Sequence, residues 1–207
     1  MPHSRTCEAI VLKSYDIGEA DRFLILLTRE CGRLAARAPG ARRLKSRMGG
    51  SLLSLEHLSV EIKEHNEGWL VAGAHPLPPR RPPLPLTDFL LVTQAMELLL
   101  GLLHDEEPLP EIFDLTLELL RLPEHEPHHV LTFTLRLLSL MGVLPEAQDR
   151  YFAALPADER AFVERSLNGA WQKEVCPLPH VNRLCRQLIE EHSTRALHAE
   201  QVTAACG

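Results

Sequence analysis

The chain has 207 residues, 45% of them apolar, and a formal net charge of -6. That length and apolar content suit one large globular domain or two small ones, and they exclude a disordered chain. The charge is unevenly spread: residues 1–87 hold 13 Lys and Arg against 9 Asp and Glu, whereas residues 88–207 hold 9 against 19, as if a basic module were joined to an acidic one.

The five cysteines Cys7, Cys31, Cys176, Cys185 and Cys206 are scattered and odd in number, which does not read as a disulfide framework. No N-terminal segment has the charged-then-apolar order of a secretion signal. The longest apolar stretch, Phe89 to Leu103, is broken by Thr93, Gln94 and Glu97, as in a buried helix rather than a membrane span. These features predict a reduced, cytoplasmic protein.

The first segment reads as short strands. Ala9-Ile10-Val11-Leu12 is β-branched at its centre and flanked by Glu8 and Lys13. Asp16-Ile17-Gly18-Glu19 is a turn signal. In Ala20 to Thr28, Phe23, Ile25 and Leu27 fall on one face and Leu24 and Leu26 on the other, predicting a strand covered on both sides. Gly32 to Ala38 alternates, with Leu34, Ala36 and Ala38 facing one way and Arg33, Ala35 and Arg37 the other. Pro39-Gly40 ends this strand, and Ala41 to Gly50 is a glycine-bounded loop or short helical turn. Leu58, Val60 and Ile62 alternate with Ser59, Glu61 and Lys63 in a half-buried strand. Asn66-Glu67-Gly68 turns the chain into a last strand, Trp69 to Ala74. Five short strands in succession predict a small barrel of the OB type, which binds nucleic acid on a strand face and its flanking loops.

The stretch Thr28 to Met48 carries Arg29, Arg33, Arg37, Arg42, Arg43, Lys45 and Arg47 against the single acid Glu30. Its cations fall on the third strand and the loop after it, an electrostatic footprint suited to phosphates. Aromatic residues are sparse beside them. Phe23 and Trp69 are the large ones nearby and both suit a core, so phosphate contacts are expected over base stacking.

His75 to Pro85, HPLPPRRPPLP, cannot be a helix or a central strand. It predicts a stiff connector, dividing the chain into a barrel domain over residues 1–77, a linker over 78–86 and a helical domain over 87–207. Thr87 is a plausible N-cap for a central helix over Asp88 to Leu103. Asp105-Glu106-Glu107-Pro108 reads as an acidic loop whose carboxylates are loop charges, and Pro110 suits the first turn of the next helix. There Glu111, Asp114, Glu118 and Arg121 share a polar face, and Ile112, Leu115, Leu119 and Leu122 face inward. Glu124 to His129 reads as a polar loop. Val130, Phe133, Leu137 and Leu140 form the stripe of a third helix that Gly142 terminates. Shorter helices are expected near 157–167, 180–191 and 195–205. The fold class is therefore α+β in two domains, a five-stranded OB-type barrel followed by an all-α domain.

No Walker loop or dinucleotide fingerprint is present. His125, His128 and His129 lack a second ligand cluster, and Cys176, His180 and Cys185 lack the spacing of a zinc site. Cys31 has no oriented base to make it a nucleophile. No catalytic constellation emerges, and neither a metal nor another cofactor is expected.

Four runs follow one another in an order that resembles the RecO family of bacterial DNA-repair proteins: Glu8 to Lys13, Asp16 to Arg22, Leu27 to Arg33, and Gly40 to Ser46. Leu138 to Glu146 is also similar to the family's helical segment ahead of its zinc-binding region. The resemblance implies an OB fold, a helical domain, and a non-enzymatic recombination mediator of the nucleoid. Such a mediator binds single- and double-stranded DNA, anneals complementary strands, and helps RecA replace single-strand-binding protein. It implies RecR and the acidic tail of single-strand-binding protein as partners, the tail needing a cationic pocket for which Arg183, Arg186 and Arg195 are available. By position it assigns DNA contacts to Arg42, Arg43, Lys45 and Arg47, to which the strand pattern adds Arg33 and Arg37. The sequence departs from the family where many members carry paired cysteines: Gln148-Asp149-Arg150-Tyr151 stands there instead, so zinc is not expected. The alternative function is a protein-interaction adaptor that works through its acidic helical domain and whose barrel does not bind DNA.

Overall fold

Alternation of apolar and polar residues in the first segment closes a five-stranded barrel. In the computed structural model, which describes residues 4–44, 46, 48–65, 68–79, 82–145, 152, 154–172 and 177–193, the strands are β1 (Ser4–Ile17), β2 (Asp21–Thr28), β3 (Gly32–Ala38), β4 (His57–His65) and β5 (Gly68–Pro76). Their order around the closed barrel is β1-β2-β3-β5-β4, antiparallel except for the parallel β3–β5 pair. Val11, Leu24, Leu26, Leu34, Leu58, Val60, Ile62 and Val71 fill the interior. Each such side chain stabilises the fold by about 1.5–3 kcal/mol relative to exposure.

β1 is much longer than its apolar run. Its first half pairs with β4 and its second half with β2, with a register shift between Val11 and Lys13. The shift is a bulge, a usual device where one strand must bend to serve two neighbours. The expectation that β2 is covered on both faces holds at one end. Leu24 and Leu26 face the core and Leu27 is buried on the outer face, but Phe23 and Ile25 are only half-buried.

The chain forms two compact units, one of residues 1–83 with 103–117 and the other of 84–102 with 118–207. Residues 103–117 therefore lie with the barrel, although the sequence places them among the helices. Arg33 forms a parallel bridge with Asp105, and the Glu106 N–H donates to the Arg33 carbonyl at 2.9 Å. Asp105 and Glu106 are thus anchors to the barrel and not plain loop charges. Gly32 permits the approach. It has φ +73°, and an added Cβ would sit 2.1 Å from the Glu107 carbonyl oxygen, so only glycine fits.

The helices are α1 (Leu86–Leu102), α2 (Pro110–Leu120), α3 (Pro127–Leu140), α4 (Ala157–Leu167) and α5 (Pro179–His192). The central helix of the second unit is α3, which packs against α1, α4 and α5 and buries His129 to Leu135 without a break. α1 was the expected centre, but its first turns expose Leu86, Phe89 and Leu90. α3 also starts earlier than the apolar stripe suggests, because Pro127 opens the helix and His129 Nδ1 accepts the Glu126 N–H at 3.1 Å. Glu159, buried in α4, accepts the backbone N–H groups of His180 (3.0 Å) and Val181 (2.8 Å), satisfying donors at the start of α5. The helix expected over 195–205 lies outside the described residues. Among the described residues no helix is long and apolar enough to cross a membrane.

Candidate nucleic-acid interface

Three of the six candidate arginine and lysine residues gather around the β1–β2 turn, at one end of the barrel. Asp21, the first residue of β2, accepts from Arg37 Nε at 2.9 Å and from the Gly40 N–H at 2.7 Å. The Gly40 N–H and then Arg37 hold its carboxyl below the usual carboxylate range. Arg42 is fixed through its backbone, which donates to the Ala20 carbonyl at 2.8 Å. Its side chain reaches the Gly18 carbonyl at 2.9 Å and Asp16 at 3.2 Å. Arg43 is exposed, and its stem lies over Gly40, with Cδ 3.4 Å from where a Cβ would stand. Its guanidinium makes no hydrogen bond or ion pair among the described residues. Lys45 and Arg47 lie outside the described residues.

The loop that carries these cations is tied down at its base. Arg22 donates through Nη1 to the carbonyls of Gly49 (2.9 Å) and Leu52 (3.2 Å), and Ser14 Oγ donates to Leu52 at 3.0 Å. Ala41 and Leu52 are fully buried in the barrel core. At Gly49 an added Cβ would lie 2.3 Å from the Ala41 carbonyl oxygen, so the two strands of the loop touch backbone to backbone. The fixed base presents Arg42 and Arg43 with less of the entropy cost of ordering a free loop.

Arg33 does not join this group. It sits four residues earlier on β3, about 13 Å away along the strand, where its Nε donates to Asp105 at 2.7 Å and its side chain is only 13% exposed. Arg29 is likewise engaged: it donates to Glu8 and Asp114 and stacks 4.6 Å over the Phe113 ring. Both serve to hold residues 103–117 on the barrel.

The surroundings are more aromatic than the sequence suggests. Tyr15 faces Phe23 across β1–β2, and Phe23 faces Arg37 across β2–β3, so the three share the outer face. Tyr15 is 45% exposed, with Lys13 Nζ 5.6 Å from its ring centroid. Tyr15 was hidden from the sequence reading because β1 looked shorter than it is. Phe23, which suited a core, is half-buried and points outward. Trp69 does pack on the barrel core, and its Nε1 donates to Glu106 at 2.9 Å.

The other candidate groups take structural positions. Cys31 is buried, its Sγ 3.7 Å from that of Cys7, and burial followed by the Cys31 hydrogen bond pushes the Cys7 thiol up to about 12. A thiol so protonated is a poor nucleophile. His125 is held between Asp88 and the Leu119 carbonyl, and His129 is buried against the Gln172 carbonyl. His180 pairs with Glu159 at 2.6 Å, Cys185 is buried in α5, and Cys176 lies outside the described residues. No group of three potential metal ligands occurs among the described residues.

Comparison with known proteins agrees with the barrel and the helices. The model of the recombination protein O N-terminal domain matches residues 1–71, and that of the recombination protein O C-terminal domain matches residues 86–187. The chain is 35% identical over 176 residues to the DNA repair protein RecO of Myxococcus xanthus, covering 79% of this chain and 69% of that one. It is 32% identical over 169 residues to that of Streptomyces avermitilis, covering 75% and 68%. With that of a Nocardioides species it shares 36% over 145 residues, covering 67% and 59%.

Proposed function

Because the chain belongs to the RecO family of DNA repair proteins, we propose that it is a recombination mediator that binds single- and double-stranded DNA at the β1–β2 end of its barrel. In this reading it anneals complementary strands and, with RecR, helps RecA replace single-strand-binding protein, whose acidic tail it contacts. The observation that carries the DNA contact is the gathering of Arg37, Arg42 and Arg43 around one turn, with Arg43 exposed. Lys45 and Arg47 are assigned to DNA by their position in the family's basic run, and Arg33 contributes by anchoring residues 103–117.

The Arg42–Asp16 ion pair does not oppose the reading. Asp16 is 52% exposed where it pairs with Arg42, and such a surface pair is worth about 0–1 kcal/mol. A phosphate can displace the carboxylate at little cost and releases condensed counterions in doing so. The test is strand annealing. Two complementary oligonucleotides, one coated with single-strand-binding protein, should anneal faster with this protein present. An annealing rate equal to that without protein contradicts the proposal.

A further inference from the structure

We infer that Tyr15 and Phe23 form a base-stacking platform that takes the unpaired bases of a single strand while the neighbouring cations hold its phosphates. The inference rests on the DNA-binding reading above and adds what distinguishes single from double strands.

The platform follows from strand register. Tyr15, Phe23 and Arg37 stand opposite one another on β1, β2 and β3, and Lys13, Ile25 and Ala35 form the next outward row. Adjacent strands lie about 4.8 Å apart and rows on one face about 6.8 Å apart. Two rings on adjacent strands thus offer successive faces at a spacing that a partly extended single strand can follow. The small Ala35 is exposed, so nothing bulky rises from β3 in the row next to Arg37.

Charge complementarity selects a polyanion for this face over an apolar partner. Lys13 lies beside the Tyr15 ring, and Arg37 lies in register with Phe23. Arg42 is tied to Asp16, the residue after Tyr15. Cations thus flank the rings on both sides. Their role is distinct from that of the rings. Phosphates are common to single strands and duplexes, whereas the faces of bases are available only when unpaired. The rest of the outer face points the same way. Ile10 and Leu27 are fully buried there, while Tyr15 and Ile17 (41% exposed) stand open at the cationic end.

The test compares an oligothymidylate, the same length of abasic oligonucleotide, and a duplex, using the full chain. The variants are Tyr15→Leu/Phe23→Leu, Tyr15→Ser and Arg42→Ala/Arg43→Ala, each checked by thermal melting. In the platform reading, the double leucine variant binds oligothymidylate about tenfold or more weakly per lost ring yet keeps its duplex affinity and salt dependence. Tyr15→Ser, an exposed change that leaves the fold intact, reproduces part of this loss. The abasic strand binds the wild type no better than oligothymidylate binds the leucine variant. Equal affinity of wild type and leucine variant for oligothymidylate overturns the platform while leaving DNA binding through the arginines in place. Absence of wild-type binding to any of the three probes at low salt overturns the DNA-binding reading and the platform with it.

Discussion

Arg33 Nε donates to Asp105 Oδ1 at 2.7 Å across 72 positions of sequence, anchoring the segment after α1 to β3. This predicts a division of labour among the arginines. Arg33→Ala should lower the melting temperature by a few degrees, for a loss of about 1 kcal/mol, and leave DNA affinity near that of the wild type. Arg43→Ala should do the reverse. Melting curves and anisotropy on the two variants check both halves, and a large affinity loss in Arg33→Ala with normal stability would put Arg33 at the DNA.

Gly32 gives a second test of the same anchor. Its φ of +73° and the 2.1 Å approach to the Glu107 carbonyl leave no room for a Cβ. Gly32→Ala should cost about 2 kcal/mol or more and increase proteolysis between residues 103 and 110. Unaltered stability would mean that this segment gives way easily.

How much of this was legible in the sequence depends on the range of the interaction. The bounds of β3 are legible in the sequence because Leu34, Ala36 and Ala38 alternate with Arg33, Ala35 and Arg37 between Gly32 and Pro39-Gly40, a local signal. The ends of β1 were not legible, since Ser4 to Cys7 and Ser14 to Ile17 owe their extended form to two different partner strands. Tyr15 was lost with them. The docking of residues 103–117 rests on Arg29, Arg33 and Trp69, none of them near in sequence, and acidic residues in a loop carry no local mark of their partner. The start of α3 was partly legible: Pro127 is a helix-opening residue, but the polar run 124–129 masked it. Arg37 and Arg42 meet the β1–β2 turn through Asp21, Gly18 and Asp16, contacts that the alternation of β3 does not show, and the same alternation does not separate Arg33 from Arg37.

His129 makes the second unit sensitive to acid. Burial, and then the neighbouring His128, depress its pKa below 6.5. On acidification the unfolded chain takes up the proton first, so the stabilisation is complete above about pH 6.5 and lost as pH falls towards the native value. His129→Gln can still accept from the Glu126 N–H and donate to the Gln172 carbonyl, but cannot titrate. Between pH 7.5 and 5.5 the wild type should lose more thermal stability than this variant. Equal losses would remove His129 from the account.

The Cys7–Cys31 contact predicts thiol behaviour. With Sγ atoms 3.7 Å apart inside the barrel and the Cys7 thiol raised to about 12, both should resist alkylation at pH 8 in the native protein. Both should react promptly in denaturant. Mass spectrometry of the N-terminal peptides after timed labelling reads this directly, and rapid native labelling of Cys31 would show an open barrel end.

The central claim is that the cations at the β1–β2 end of the barrel hold phosphates. The direct measurement is fluorescence anisotropy with a labelled single strand at a series of salt concentrations, on the wild type and Arg42→Ala/Arg43→Ala. The wild type should lose affinity steeply as salt rises, and the variant should bind more weakly with a log–log slope shallower by about 1.4 for two lost phosphate contacts. Equal affinities and equal slopes for the two proteins would contradict it.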